Sequence, residues 1–435
     1  MGLFGFGKSN RAIFEMLSHL PWLEFTLRDE KMRECPDSRM RLCLGEPCFE
    51  PPFEDILFLS PSVRRARAEL VKMSEAGTRL SSDAELFFEL CDAPVLAVSG
   101  SDGKSTTVTM TEAILKRSGV RTLACGNLGL PFISALESEY ECIVTEISSF
   151  TLEYLAPRSK RALITNITEN HLDWHGSYEG YMGAKENLIR NTEYAILSPD
   201  TKGAESLIEK HRPQGIFSGR YGFCELSRRY PFAEKFYTCE GDSLRINGET
   251  VIPVSDLAKK EAHNIKNALS AIALTDGLFN TSGGIGALSD FSAPSHRAQH
   301  IATAGGVRYI DSSIDSSPAR TCATLSEMPK NTHIILGGRG KGLSYIPLIP
   351  PLLHTSGALI ICGENRDEIA ATIGGVTALR DRIILCDSLL SATRAAVKIA
   401  KDGDTVLLSP ASTSFDAFSD FEERGNKFKD LVNEL

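Results

Sequence analysis

Short apolar runs, with stretches of helical spacing between them, recur along almost the whole chain. Strands are predicted at residues 3–4, 23–27, 56–59, 95–98, 142–146, 162–167, 307–310, 334–336, 359–362, 383–386 and 406–408. Most of these runs do not alternate with polar residues. They therefore fit strands of a parallel sheet covered on both faces. Strands alternating with helical segments are the α/β signature. The pattern divides into three domains, at residues 1–92, 93–295 and 296–435. The first opens with a strand, a Gly5-x-Gly7-x-Ser9 turn and a helix running to about Leu20. Between about residues 212 and 254 the spacing is less regular, and hairpins or an insertion are expected there.

The stretch from Val95 to Thr106 carries the clearest chemistry. Val95 to Val98 form the strand, a glycine turn follows, and Lys104-Ser105-Thr106 open a helix. Backbone N–H groups and the positive end of the helix dipole then face a common anion. Gly100, Ser101, Asp102 and Gly103 make the loop of a phosphate cradle. Lys104 would reach the β/γ-phosphates, and Ser105 or Thr106 would hold Mg²⁺. Val98 stands where a strict Walker loop has its first glycine, so this loop is shorter.

Other polar groups follow predicted strands, where α/β sheets gather ligands. Glu146 ends one strand and could hold Mg²⁺ or position a water, and Ser148-Ser149 would cap the next helix. His171, Asp173 and His175 follow another strand and suggest a metal or phosphate site. Oxygen-rich surroundings favour Mg²⁺ over zinc. Lys185 by periodicity alone reads as a solvated helix lysine. Asn264 and Asn267 share a helix face and could read an adenine edge. In the third domain Asp311 could accept from a ribose hydroxyl, and the loop from Gly337 to Gly342, with Lys341, suits a carboxylate or phosphate.

Composition narrows the classes. The 435 residues are 42% hydrophobic and 24% charged, as in soluble globular proteins. A net charge of −9 argues against nucleic acid as a partner. No apolar run approaches the roughly 20 residues that span a bilayer, and no signal peptide is predicted. Eleven cysteines without a C-x-x-C pair suggest reduced thiols in a cytoplasm.

Taken together, these motifs resemble the Mur ligase family along essentially the whole chain. The loop Gly100 to Thr106 is similar to the family's Gly-Thr-Asn-Gly-Lys-Ser-Thr. In family order follow Gly126-Asn127-Leu128-Gly129, Glu146-Ile147-Ser148-Ser149-Phe150, Asn170-His171-Leu172-Asp173 and Ala184-Lys185. Then come His263-Asn264 with Asn267, His296-Arg297, and the Gly337-Gly338 loop. Ser409-Pro410-Ala411, Ser414-Phe415-Asp416 and Phe421 to Gly425 resemble the branch that adds D-glutamate. The resemblance implies a Rossmann-like N-terminal domain for UDP, a central P-loop-type ATPase domain and a Rossmann-like C-terminal domain for D-glutamate. It implies an ATP-dependent ligase, acting as a monomer in the cytoplasm, with UDP-N-acetylmuramoyl-L-alanine and D-glutamate as small-molecule substrates. Lys104, Glu146, His171 and Lys185 would be catalytic, with Lys185 carbamylated. Ser105 and Glu146 would hold one Mg²⁺, His171 and carbamylated Lys185 the other. Asn264, Asn267, Arg297 and Asp311 would join the loop in binding ATP. Gly7, Ser9, Asn127, Ser148, Ser316, Lys341, Ser414, Phe415 and Phe421 would contact the other substrates. Sites on separate domains would have to converge during turnover.

The chain departs from the family at several places. Thr151 replaces a common glutamine, Asp311-Ser312-Ser313 replaces Asn-Asp-Ser, and Asn10 and Ser62 replace glycines. The ribose contact therefore rests on Asp311 or Ser312, and the diphosphate contacts of the first domain are affected. Rival readings are a folylpolyglutamate-type ligase, a P-loop ATPase that ligates nothing, and a dinucleotide oxidoreductase built on Gly5 and Gly7.

Overall fold

Three sheets organise the chain, each seeded by the apolar runs. The computed structural model describes residues 1–30, 37–61, 63–127, 130–168, 171–201, 203–291, 295–325, 328–340 and 343–434. These fall into two compact units, Met1–Ser292 and Ala293–Leu435.

The first unit opens with a five-stranded parallel sheet. Its strands are β1 (Gly2–Phe4), β2 (Phe25–Asp29), β3 (Met40–Leu44), β4 (Ile56–Leu59) and β5 (Arg79–Ser81), in the order β3-β2-β1-β4-β5. The order reverses between β1 and β4, so the turns after these two strands flank the crevice where such sheets bind ligands. The strand predicted at 23–27 runs on to Asp29 because Arg28 can be buried in it. Its guanidinium donates to Glu54 Oε2 at 2.8 Å, Cys48 O at 2.8 Å and Glu50 O at 3.0 Å. The first helix, Lys8–Leu17, stops short of Leu20. Pro21 follows, and the residue before a proline disfavours helix. Asn10, read above as a replaced glycine, is fully buried. Its Nδ2 donates to Phe4 O, Gly5 O and Phe58 O at 2.9–3.2 Å, clamping the ends of β1 and β4 together. Its role is structural.

The second sheet has nine strands. They are β6 (Val95–Ser99), β7 (Thr122–Gly126), β8 (Cys142–Glu146), β9 (Arg161–Ile164), β10 (Ala195–Leu197), β11 (Gly215–Ser218), β12 (Lys235–Glu240), β13 (Ser243–Ile246) and β14 (Glu249–Pro253). The order is β14-β13-β12-β11-β10-β9-β6-β8-β7. The antiparallel β12-β13-β14 meander accounts for the irregular spacing after residue 212. Along β6 the side chains alternate between two cores. Val95 and Ala97 pack with Tyr181 and Leu188, whereas Leu96 and Val98 pack with Val108, Ile114 and Ala268. Helices on both faces explain why the run is unbroken. Because β6 lies between β8 and β9, three strand ends, Ser99, Glu146 and Ile164, open side by side.

The second unit holds β15 (Gln299–Ala304), β16 (Val307–Asp311), β17 (Thr332–Leu336), β18 (Leu359–Ile361), β19 (Ile383–Leu385) and β20 (Thr405–Leu408). The order is β15-β16-β20-β17-β18-β19, parallel except for β15. Among the described residues no helix is long and apolar enough to cross a membrane.

Candidate active site

The loop after β6 needs its glycines for two reasons. Gly100 and Gly103 have φ of +149° and +78°, a region side chains disfavour. A Cβ on Gly100 would also lie 1.9 Å from Thr165 Oγ1, and one on Gly103 2.3 Å from Asn267 Oδ1. The helix Lys104–Arg117 starts immediately afterwards, so its first N–H groups face the loop. Lys104 Nζ folds back to donate to Gly100 O at 2.9 Å and Ser101 O at 2.8 Å. Thr106 is buried in the helix, while Ser105 is partly exposed.

Glu146 is not a surface glutamate. It is 2% exposed, accepts from Ser105 Oγ at 2.6 Å through one oxygen, and from Asn127 Nδ2 at 2.9 Å through the other. The structure thus joins three predicted site residues. Ser148 caps the next helix, accepting from Thr151 N at 3.2 Å, and the two hydroxyls lie 3.0 Å apart.

Lys185 overturns the solvated-lysine reading. It is 1% exposed on the helix Tyr178–Arg190. Its Nζ donates to Gly100 O at 2.8 Å and Ser99 Oγ at 3.3 Å, and lies 4.7 Å from the centre of the Tyr181 ring. Both lysines therefore donate to one carbonyl, Gly100 O. Burial pushes the Lys185 amine well below the ordinary lysine range, and the neighbouring Lys104 charge pushes it the same way. The opposite pull of Glu146 and Asp102 is weaker.

Two residues of this site escaped the motif reading. Asn166 Oδ1 accepts from the backbone N–H groups of Ser101 at 3.0 Å and Asp102 at 2.8 Å. Tyr181 OH lies 2.9 Å from Ser101 Oγ, which also donates to Thr168 O and accepts from Thr168 N. Burial pushes the Tyr181 phenol up to about 12. The asparagine lies in a stretch predicted as strand, yet β9 stops at Ile164 so that residues 165–168 can grip the loop.

His171 caps the short helix Leu172–His175 with φ 53°, and its ring meets Phe150 edge-on at 4.7 Å. Phe150 also contacts Trp174 at 4.6 Å. His175 stacks on the same Phe150 ring at 6.0 Å, with Nε2 3.1 Å from Ser149 Oγ. Asn264 and Asn267 share a helix face as predicted, Asn267 Nδ2 lying 3.4 Å from Asn264 Oδ1.

At the start of the chain Gly7 caps the first helix, exposed, with no atom within 4 Å of an added Cβ. The Ser9 side chain bonds to Asp83, a buried carboxylate that also accepts from Phe132 N at 3.2 Å; burial raises its pKa. Asp83 lines a pocket with Ser60, Arg65, Phe150, Thr151 and Tyr154. No motif pointed to Asp83, Arg65 or Tyr154.

In the second unit Asp311 is fully buried. Its Oδ2 lies 2.6 Å from His296 Nδ1 and its Oδ1 accepts from Ser313 N at 2.8 Å. Ser312 is equally buried and accepts from Ala298 N at 3.1 Å. Arg297 and Ser316 are partly exposed, Ser414 is buried and Phe415 is 57% exposed. Phe421 meets the His296 ring edge-on at 6.2 Å. Arg424, also buried, donates to Ser313 O at 2.8 Å and Ser412 O at 3.1 Å. Lys341, Ser62, Leu128, Gly129 and Asn170 lie outside the described residues.

Residues 98–275 match the Mur ligase middle domain. Over its full length the chain is 32% identical to the UDP-N-acetylmuramoylalanine–D-glutamate ligase of Clostridium botulinum strain Langeland, covering 96% of that protein. It is 34% identical to the ligase of the same name from Clostridium novyi, over 88% of this chain and 83% of that protein. Among solved structures, the UDP-N-acetylmuramate–alanine ligase of Thermotoga maritima matches with a TM-score of 0.65 at 17% identity, covering 100% of this chain and 99% of that one. The folylpolyglutamate synthase of Mycobacterium tuberculosis, complexed with ADP, matches with a TM-score of 0.59 at 13% identity, over 80% of this chain and 93% of that one.

Proposed function

The chain belongs to the Mur ligase family, and from that premise we propose that it joins D-glutamate to UDP-N-acetylmuramoyl-L-alanine at the expense of ATP. It is an ATP-dependent ligase of peptidoglycan precursor synthesis. The observation that carries the mechanism is the approach of Lys104 and buried Lys185 to Gly100 O at the mouth of the loop. A triphosphate seated there would draw Lys104 off the loop carbonyls onto its own oxygens. The muramoyl-alanine carboxylate attacks the γ-phosphorus, forming a C–O–P link and releasing ADP. The D-glutamate amine, in its neutral form, then attacks the acyl carbon. Inorganic phosphate leaves with the bonding electron pair, and the new amide nitrogen gives up a proton to solvent or the leaving phosphate. Phosphorylation is needed because a carboxylate is a poor acyl donor. Lys104 offsets the charge that builds in both steps.

Mg²⁺ fits the donors present. Ser105 and Glu146 supply a hydroxyl and a carboxylate beside the cradle, and hard oxygen donors suit that ion. When bound, Mg²⁺ neutralises phosphate charge. Lys185, whose amine burial pushes well below the ordinary lysine range, is suited to react with CO₂ through its neutral form. Its nitrogen bonds to the carbon and loses a proton, giving an anionic carbamate. That group and His171 would hold a second Mg²⁺. In this reading residues 1–92 bind the UDP portion, with Gly7 and Ser9. Residues 93–295 bind ATP, and residues 296–435 bind D-glutamate through Ser316, Lys341, Ser414, Phe415 and Phe421. The enzyme works in the cytoplasm as a monomer.

An isotope experiment tests the acyl-phosphate. With ¹⁸O in the muramoyl-alanine carboxylate, one labelled oxygen should appear in the released phosphate. Unlabelled phosphate accompanied by ligated product would exclude the intermediate.

A further inference from the structure

Asn166 stands out because one side of its carboxamide is fully committed and the other is not. Oδ1 accepts from the N–H groups of Ser101 and Asp102. Since an N–H can donate only to the oxygen, this pair of bonds fixes which end of the amide is which. The Nδ2 group makes no hydrogen bond among the described residues, and the side chain is partly exposed. The loop has therefore turned two backbone donors away from its anion and onto Asn166. In exchange, a rigid NH₂ with two donors stands at the same rim. That rim also carries the exposed carboxylate of Asp102, which repels phosphate and makes a compensating donor more useful. The mount is firm. Thr165 Oγ1 donates to Asp102 O at 2.6 Å, and Ser101 N also reaches Asn166 O at 3.0 Å.

We propose that Asn166 is a further nucleotide-binding residue, whose oxygen shapes the loop and whose NH₂ donates to a phosphate oxygen of the bound nucleotide. This rests on the reading that the loop binds ATP.

Asn166→Asp separates the two roles, because it keeps the acceptor for Ser101 and Asp102 and removes the donor. Asn166→Ala removes both. The probe is a non-hydrolysable ATP analogue with Mg²⁺, titrated by fluorescence at low salt and at about 1 M salt, where charges are screened beyond about 3 Å. Asn166→Asp should bind the analogue about tenfold more weakly than wild type, as for loss of a hydrogen bond to a charged group. The ratio should persist at high salt, and the melting temperature should hold. Asn166→Ala should bind weakly and melt earlier. Binding of Asn166→Asp at wild-type strength would make Asn166 a strut only and overturn the proposal. So would a defect that vanishes at high salt, because it would be through-space repulsion. If the wild type does not bind the analogue at all, the ATP reading falls and this inference falls with it.

Discussion

Lys185 is the residue on which periodicity misleads most. Its spacing on an amphipathic helix is that of a solvated side chain, but it is 1% exposed and bonded to the phosphate loop. A lysine this deep is costly in its charged form, and the fold keeps it where a neutral amine is chemically useful. Lys185→Ala should lose most ligase activity, and formate or acetate should partly restore it by replacing the oxygens of the proposed carbamate. Steady-state rates with and without added formate measure this. Full activity in the variant would remove Lys185 from the mechanism. Glu146 and Ser105 were legible as strand-end and helix-start groups, and they meet at 2.6 Å. Asp311 was legible only as a polar group at a strand end. Its burial against His296 and Ser313 follows from packing, to which linear spacing is blind.

Elements were easier to read than their junctions. The run Val95 to Val98 became β6 because both faces are covered, and the turn and helix after it fell where the loop motif places them. Boundaries moved where tertiary bonds outweighed local preference. Arg28 extends β2 through its bonds to Glu54 and the 48–50 backbone, and Asn166 leaves β9 to hold the loop. A helix around Lys185 was expected, but not that it grips the phosphate loop through Tyr181 as well as Lys185. This link predicts a specific defect. Tyr181→Phe keeps the ring under Lys185 and loses one hydrogen bond, so kcat/KM for ATP should fall about two- to tenfold. The KM for D-glutamate and the melting temperature should stay close to wild type. A fall in melting temperature with unchanged kinetics would make Tyr181 a packing residue instead.

At the scale of the molecule, three sheets on one chain were legible from the alternation of strands and helices. The antiparallel edge of the nine-stranded sheet appeared in the sequence only as an irregular stretch. The rival readings part company at this scale. Sequence identity above 30% along the full chain supports the ligase family over an oxidoreductase or a stand-alone ATPase. The substrate pair is what remains to be measured. Purified protein with ATP and Mg²⁺ should be assayed for phosphate release, with UDP-N-acetylmuramoyl-L-alanine and D-glutamate added singly and together. Our account predicts sustained release only with both present, matched mole for mole by a ligated product in the mass spectrum. Sustained release with neither substrate, or none with both, would contradict it.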